Sequence, residues 1–463
     1  MSGKSYGDLP QTLAWSTLAV TGFQSAYAIP WFALPFQLLF AYALVRLLET
    51  KSSRGAFYAG LAVGFTLAAI QLTFFATVFG SGAIALWLII GLWFAHFTWL
   101  GQCIGTRFPR WAVMLTPIAW VGLEYFRSEL YYLRFSWVTP GMSLADSPWS
   151  ALLKVGTYGA GGLILFCGCL LRKNWRMGFA GATILLIAPP FLALIGSEST
   201  RSLLVAGIQL EHPDETALPQ QLERVVANVP ECDLILLSEY TLNGAVPESL
   251  RRWCDEHDWY LIVGGKDAVD ELRYYNTAFV VGPEGDIVFK QAKSVPIQFF
   301  RDGLPAEDQA IWDSPFGPIG ICVCYDLSYS RVIDRFIERG ACAIVNPTMD
   351  AIAWGGRQHR LHSRVPVCRS IEYDIPIARL ASSGVSLVTD GSGRRLAEAG
   401  FPGQGNLIAG RLRLSEPRLP VDRWISPACV VATLLMLVAC LWPRKTRGDD
   451  HVPETLGADL HVE

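Results

Sequence analysis

Two stretches of this chain, residues 9–45 and 55–106, contain no Asp, Glu, Lys or Arg. A helix needs about 20 apolar residues to cross the hydrocarbon of a bilayer. The second run therefore reads as two spans, with Gly80-Ser81-Gly82 as the turn between them. Pro30 divides the first run into spans near 11–28 and 31–48. Further apolar segments at 111–127, 155–171, 177–197 and, after a long gap, 425–442 bring the expectation to about eight spans. Charged residues make up only 17% of the 463, against about 25% in an average soluble domain. With 51% apolar residues, disorder is excluded as well. A cleavable signal peptide is a poor reading of the start, because another apolar run follows at once where a cleavage site would lie.

Charge is unevenly distributed. Residues 1–196 carry 12 Lys/Arg against 5 Asp/Glu, residues 197–443 carry 23 against 31, and residues 444–463 carry 3 against 5. No basic face suggests nucleic acid as a partner. Lys and Arg collect in cytoplasmic loops, and here alternate loops hold Lys51 with Arg54, Arg107 with Arg110, Arg172, Lys173 and Arg176, and Arg444, Lys445 and Arg447. All four clusters fall on one side only if both termini are cytoplasmic. The expected organisation is a transmembrane domain over 1–197 with about seven spans, an extracytoplasmic domain over 198–424, a last span over 425–443, and a short, acidic cytoplasmic tail over 444–463. The connection 128–150 is long and aromatic, and reads either as an interfacial belt or as a substrate-facing arm. Glu124 and Arg127 lie where the fifth span leaves the bilayer.

From residue 202 the pattern changes to short aliphatic runs: 203–208, 234–237, 260–265, 278–281, 319–323, 343–345 and 376–380. Continuous apolar runs of this length are what strands buried on both faces look like. Helix-like stretches at 218–228 and 329–339 separate some of them, and Gly282-Pro283-Glu284-Gly285 and Asp390-Gly391-Ser392-Gly393 read as hairpin turns. The fold class is α/β, with helices packed on layered sheet.

Six cysteines lie outside the predicted spans, at 232, 254, 322, 324, 342 and 368, without disulfide-framework or zinc-ligand spacing. His359 and His362 share a helix face but lack a third ligand, so no metal and no cofactor is expected. Strand ends are more informative. Glu239 follows the run 234–237, Cys324 follows 319–323, and Lys293 lies past the hairpin at 282–285. In α/β sheets functional groups gather beyond strand ends. A thiol nucleophile needs a neighbouring base or a lowered pKa, a carboxylate can carry its proton, and an ammonium can stabilise an oxyanion. Cys322 and Cys324 are two apart, so a continuing strand would face both the same way. Lys290 in an extended segment would point opposite to Lys293.

Glu, Lys and Cys in this order, with the thiol in Cys324-Tyr325-Asp326, resemble the carbon–nitrogen hydrolase (nitrilase) superfamily. Tyr275-Asn276-Thr277-Ala278, Asn346-Pro347, Arg369-Ser370-Ile371-Glu372 and Ala381-Ser382-Ser383-Gly384 are similar to further motifs of that superfamily. The bracketing spans, and Gly122-Leu123-Glu124-Tyr125-Phe126-Arg127 followed by Phe135-Ser136-Trp137, resemble the apolipoprotein N-acyltransferase family. The resemblance implies a nitrilase-like αββα sandwich with Glu239, Lys293 and Cys324 as catalytic residues. It also implies oxyanion or substrate contacts at Tyr325, Asp326, Trp354 and Glu372. The implied reaction moves a fatty acyl chain from a phospholipid, through a Cys thioester, to the N-terminal amine of a diacylglyceryl-cysteine apolipoprotein. The implied setting is the bacterial inner membrane, with the catalytic domain periplasmic and the enzyme a monomer. The chain departs from the family after Lys293, where a second acidic residue is usual and Gln298 is nearest in position. It departs again in the loop from Asn346 to Trp354.

Two other readings use the same residues. A membrane-anchored carbon–nitrogen hydrolase would share the triad with water as acceptor, yet one or two spans would anchor it. A non-enzymatic scaffold or transporter predicts charges or broken helices at mid-membrane, and the spans contain almost none. The expected topology can be read directly. A reporter active only outside the cytoplasm, fused after Ser426 in a chain truncated there, should be active, and fused after Arg447 of the full chain it should be silent. The reverse pattern would invert the topology.

Overall fold

The computed structural model describes residues 9–50, 52–192 and 201–442. The acidic tail, the last basic cluster, Lys51 and the end of the seventh predicted span lie outside the described residues. The first half is helical: α1 (Leu9–Ala28), α2 (Ala33–Arg46), α3 (Ser53–Gln71), a short α4 (Phe74–Phe79), α5 (Gly82–Arg107), α6 (Ala112–Tyr125), α7 (Thr157–Lys173) and α8 (Trp175–Leu192). The long apolar run breaks earlier than expected. α3 stops at Gln71, α4 fills the gap, and Gly80 takes a positive φ of 57° before α5 begins. Thr98 Oγ1 donates to Ala56 O at 2.7 Å between α5 and α3. Small residues permit that approach, since a Cβ on Gly60 would lie 2.0 Å from Thr98 Oγ1.

The second half alternates strand and helix: β1 (Ser202–Ile208), α9 (Leu218–Asn228), β2 (Leu234–Leu236), α10 (Glu248–His257), β3 (Tyr260–Ala268), β4 (Tyr274–Val281) and β5 (Ile287–Ala292). It continues with β6 (Ile311–Ser314), β7 (Gly317–Ile321), α11 (Ser330–Glu338), β8 (Ala343–Thr348), α12 (Gly355–His362), α13 (Arg364–Tyr373), β9 (Ile377–Ala381), β10 (Ser386–Thr389), β11 (Arg395–Ala399) and β12 (Leu407–Arg413). α14 (Asp422–Leu441) closes the described chain. Four segments, Pro30–Glu49, Ser53–Gln71, Gly82–Arg107 and Asp422–Leu441, are long and apolar enough to cross a membrane by length and composition.

The strands form two six-stranded sheets in the orders β12-β1-β2-β3-β4-β5 and β11-β10-β9-β8-β7-β6. Each has a parallel centre, β1-β2-β3 and β7-β8-β9, flanked by antiparallel strands. Alternation along the strands explains the layering. Leu203, Val205, Leu234, Leu236, Ile262 and Val280 face the space between sheets. Their neighbours Ala206, Ile235, Leu261, Val263 and Phe279 face α9 and α10, where Leu222, Leu250 and Trp253 cover them. Both faces are buried, so the central strands read as unbroken apolar runs. The edge strands do not: β12 alternates half-buried or exposed residues with buried ones.

The sandwich is seated on the helices by polar contacts, most of them buried. Trp137 Nε1 donates to Ser328 Oγ at 2.9 Å and Ser136 Oγ to Ser328 O at 3.0 Å. Arg357 donates to Gln71 Oε1 at 2.8 Å, and Asp422 accepts the Tyr158 N–H at 3.1 Å. Glu372, fully buried, accepts from Thr157 N at 2.5 Å and pairs with Arg369, whose Nη2 donates to Ser328 O at 2.6 Å. Arg423 of α14 lies 3.5 Å from the same carboxylate. Removing one partner of a buried charge network leaves the others uncompensated, at a cost of about 3–5 kcal/mol. Glu372→Gln should therefore lower the thermal unfolding midpoint of the detergent-purified protein markedly. Glu398→Gln, which breaks the partly exposed pair with Arg395, should change it little. Equal shifts would contradict this reading of Glu372.

Candidate active site

Three strand ends converge between the sheets. β2 ends at Leu236, and Glu239 follows in a turn laid against β3. The close approach needs a glycine at 264, because a Cβ there would lie 2.5 Å from Glu239 Cα. β5 delivers Lys293, and β7 delivers Cys324. The thiol residue opens a one-turn helix, Cys324–Ser328, with φ of +50°. A non-glycine residue rarely adopts this conformation, which concentrates at functional sites. It also ends the strand alternation. Cys322 stays in the core, where Asn346 Nδ2 donates to its carbonyl at 2.8 Å, while Cys324 turns towards Glu239.

All three groups are buried, with Glu239 and Lys293 each 1% exposed and Cys324 2%. Lys293 Nζ donates to Glu239 Oε1 at 2.8 Å and lies 2.7 Å from Asp302 Oδ2. Glu239 also accepts from Asn276 Nδ2 at 2.6 Å and, on its other oxygen, from the Met349 N–H at 2.7 Å. Burial alone would push Lys293 down, but Asp302 and Glu239 more than offset this and hold it well above its ordinary value. Burial pushes Asp302 up, yet Lys293 and hydrogen bonds from the Ile297 N–H and Tyr240 hold it below the usual carboxylate value. The Cys324 thiol is raised well above its ordinary value, first by burial and then by the Glu239 carboxylate, with Lys293 opposing. A thiol held in this way would need a base in contact with it to act as a nucleophile.

Asp302 was not legible as a site residue. The chain departs from the family pattern after Lys293, yet the structure supplies a second carboxylate nine residues on, from a loop without regular structure. Gln298, nearest by position, instead donates to Tyr132 O at 3.1 Å. Asp326 accepts the backbone N–H groups of Ser294 at 2.9 Å, Val295 at 2.7 Å and Val323 at 3.2 Å, tying the Lys293 segment to the thiol turn. Burial raises its carboxyl to about 6, with those backbone donors opposing. Glu372 is not brought to the triad; it acts on the thiol turn through Arg369. Lys290 pairs with Asp267 at 2.9 Å on the exposed face.

Tyr325 and Trp354 line an apolar cleft with Phe75, Phe79 and Ile90 from the helices, Phe135 and Trp137 from the aromatic connection, and Ile297 and Phe300 from the sandwich. The connection 128–150 thus forms part of the cleft wall, and Arg127 fixes it by donating to Phe135 O at 2.9 Å and Val138 O at 3.1 Å.

A buried carboxylate, amine and thiol at the strand ends of a double-sheet sandwich place the domain among the thiol enzymes of carbon–nitrogen bonds, and residues 194–415 match the carbon-nitrogen hydrolase family model. Residues 16–170 match the model of the apolipoprotein N-acyltransferase N-terminal domain. The chain is thus similar to the apolipoprotein N-acyltransferases in both its halves. It is 25% identical over 386 residues to the apolipoprotein N-acyltransferase of Geobacter metallireducens, covering 69% of this chain and 73% of that one. The omega-amidase NIT2 of Mus musculus is 23% identical over 202 residues, 38% of this chain and 72% of its own length. A solved carbon–nitrogen hydrolase from Helicobacter pylori G27 covers 51% of this chain and 94% of its own, with 15% identity and a TM-score of 0.41.

The geometry separates the two lysines and assigns weight to Asp302. Lys293→Met should slow acylation of the thiol about a hundredfold to a thousandfold, the usual loss for an oxyanion donor, and Lys290→Met should leave it unchanged. Equal losses would mean the segment is misassigned. The Asp302–Lys293 pair contributes stability above the ordinary carboxylate pKa of about 3.9, lost only as pH falls through the depressed folded value. In acid-unfolding titrations Asp302→Asn should lack this contribution; an unchanged profile would contradict the pairing.

Proposed function

We propose that the chain is a membrane N-acyltransferase that moves a fatty acyl chain from a phospholipid, through a thioester on Cys324, to the N-terminal amine of diacylglyceryl-cysteine apolipoproteins. Cys324 attacks the acyl ester while Glu239 takes the thiol proton. Lys293, with the Tyr325 backbone N–H, holds the oxyanion. The carbon–oxygen bond breaks, the leaving lysophospholipid oxygen takes the proton from Glu239, and the acyl chain remains on sulfur. The acceptor amine then attacks the thioester, Glu239 takes its proton, and the sulfur leaves and is reprotonated. Trp354 and Tyr325 contact substrate at the cleft wall, while Asp326 and Glu372 hold the thiol turn in place. No cofactor or metal enters this scheme, and one copy of the chain suffices for it.

The observation that carries this reading is the apolar cleft, built from membrane helices on one side and the sandwich on the other and reaching Tyr325 beside the thiol. An acyl chain gains about 0.8 kcal/mol for each CH₂ it buries, so drawing it into water would be costly. A cleft continuous with the helices keeps the chain in apolar surroundings while the ester reaches the sulfur. The helices α1, α2, α3, α5, α6, α7, α8 and α14 act as the spans, with both termini cytoplasmic and the sandwich on the periplasmic face of a bacterial inner membrane. The domains divide at about residues 197, 424 and 443.

The omega-amidase likeness favours a second reading, hydrolysis with water as acceptor. A transferase must exclude water until the amine arrives. With phospholipid present, the acyl adduct should persist for hours in buffer and discharge when a diacylated lipopeptide with a free N-terminus is added, as followed by intact-mass analysis. Rapid discharge in water with no response to the lipopeptide would establish the hydrolase.

A further inference from the structure

Two neighbouring cations, one of them on the cleft wall, have no part in the acyl chemistry. The guanidinium of Arg134, on the arm, lies 5.3 Å from the centroid of the Tyr329 ring, and that of Arg331, in the first turn of α11, lies 5.5 Å from it. Arg134 lines the cleft, and its Nε is buried without a hydrogen-bond partner. Among the described residues neither arginine has a carboxylate in ion-pair contact. Glu129 is near, but its Oε1 already accepts from Tyr158 Oη at 2.7 Å, Ser330 Oγ at 2.8 Å and Ser330 N at 3.2 Å. A ring face attracts a cation modestly and does not neutralise two of them, so the pair is an anion site in waiting.

Its position relates it to the nucleophile. The hydroxyls of Tyr325 and Tyr329 both donate to Arg134 O at 3.4 Å, and the two rings meet edge to face with centroids 5.0 Å apart. Tyr325 is the residue after Cys324, so the cations stand one aromatic layer from the thiol turn. Arg331 is exposed, Arg134 half-buried. In a glycerophospholipid the phosphodiester is separated from the acyl ester only by the glycerol carbons. We infer that Arg134 and Arg331 clamp the phosphate of the donor phospholipid, holding its head at the cleft mouth while the acyl ester reaches Cys324. Arginine suits the task, since its fork matches two phosphate oxygens at once. This assignment rests on the phospholipid-donor reading.

The test uses the full chain in lipid nanodiscs and compares two acyl donors of equal chain length, a phospholipid and a p-nitrophenyl ester that lacks phosphate. Arg134→Gln and Arg331→Gln should each slow thioester formation from the phospholipid by about tenfold to a hundredfold, the weight of a charge-assisted hydrogen bond. Both should leave the p-nitrophenyl reaction within about twofold, and Arg134→Lys should recover part of the loss. Arg252→Gln, on the exposed face of α10, controls for net charge and should change neither reaction. Equal losses with both donors would show a structural role and overturn the clamp, as would an undiminished phospholipid reaction. Inorganic phosphate at constant ionic strength should not inhibit; inhibition that disappears in Arg134→Gln would make this a free-phosphate site instead. If the wild-type chain reacts with the p-nitrophenyl ester and never with phospholipid, the donor reading fails and takes the clamp with it. Loss of the clamp alone leaves wild-type acylation by phospholipid intact.

Discussion

The Lys293 ammonium, buried between Glu239 and Asp302, is the interaction on which the site depends. Burying an ion costs several kcal/mol unless partners and hydrogen bonds compensate, and here two carboxylates surround one amine. The excess negative charge is spread over further donors: Asn276, the Met349 N–H, Tyr240 and the Ile297 N–H. Those donors come from β4, from the end of β8, and from the loops after β2 and β5, so the cluster fixes elements of both sheets to one another. It also sets the chemistry. In the proposed reaction a thiol beside this net negative cluster gives up its proton as the carbon–sulfur bond forms, and the Lys293 charge then has an oxyanion to stabilise.

The second constraint is the shared wall between the halves. Trp137 lines the cleft, donates to Ser328 at the end of the thiol turn, and stacks on His362 with centroids 4.5 Å apart. Phe79 of α4 meets Phe299 and Phe300 of the sandwich at 6.1 and 5.9 Å. The same side chains thus line the cleft and hold the Cys324 turn. The interruption of the apolar run at Gln71, which creates α4, brings helix side chains up to the sandwich loops. An uninterrupted span to Gly80 would lack that short helix.

Much of this was legible in the sequence for identifiable reasons. The central strands are buried on both faces and announce themselves as aliphatic runs, and residues 218–228 carry an apolar stripe that became α9 over the same range. Glu239 and Cys324 were readable because each directly follows such a run, and Lys293 because it lies just past a hairpin turn. Strands β5, β6, β11 and β12 were missed, since edge strands mix exposed charges such as Lys290, Glu398 and Arg411 with their apolar positions, while the interior strand β10 is only four residues long and half of them are Ser386 and Thr389. Asp302 was missed because irregular loops have no period to read. The left-handed backbone at Cys324 was equally hidden, and only that turn separates its direction from that of Cys322. The role of Arg369 and Glu372 beneath the thiol turn depends on contacts far apart in the chain.

Peptide-mapping mass spectrometry of the full chain reconstituted with phospholipid tests the central claim most directly. A hydroxylamine-labile acyl group should be found on the peptide containing Cys324, should be absent from Cys324→Ala, and should persist in Cys322→Ala. An acyl group on another cysteine, or its survival in Cys324→Ala, would contradict the assignment of Cys324 as the sulfur that carries the chain.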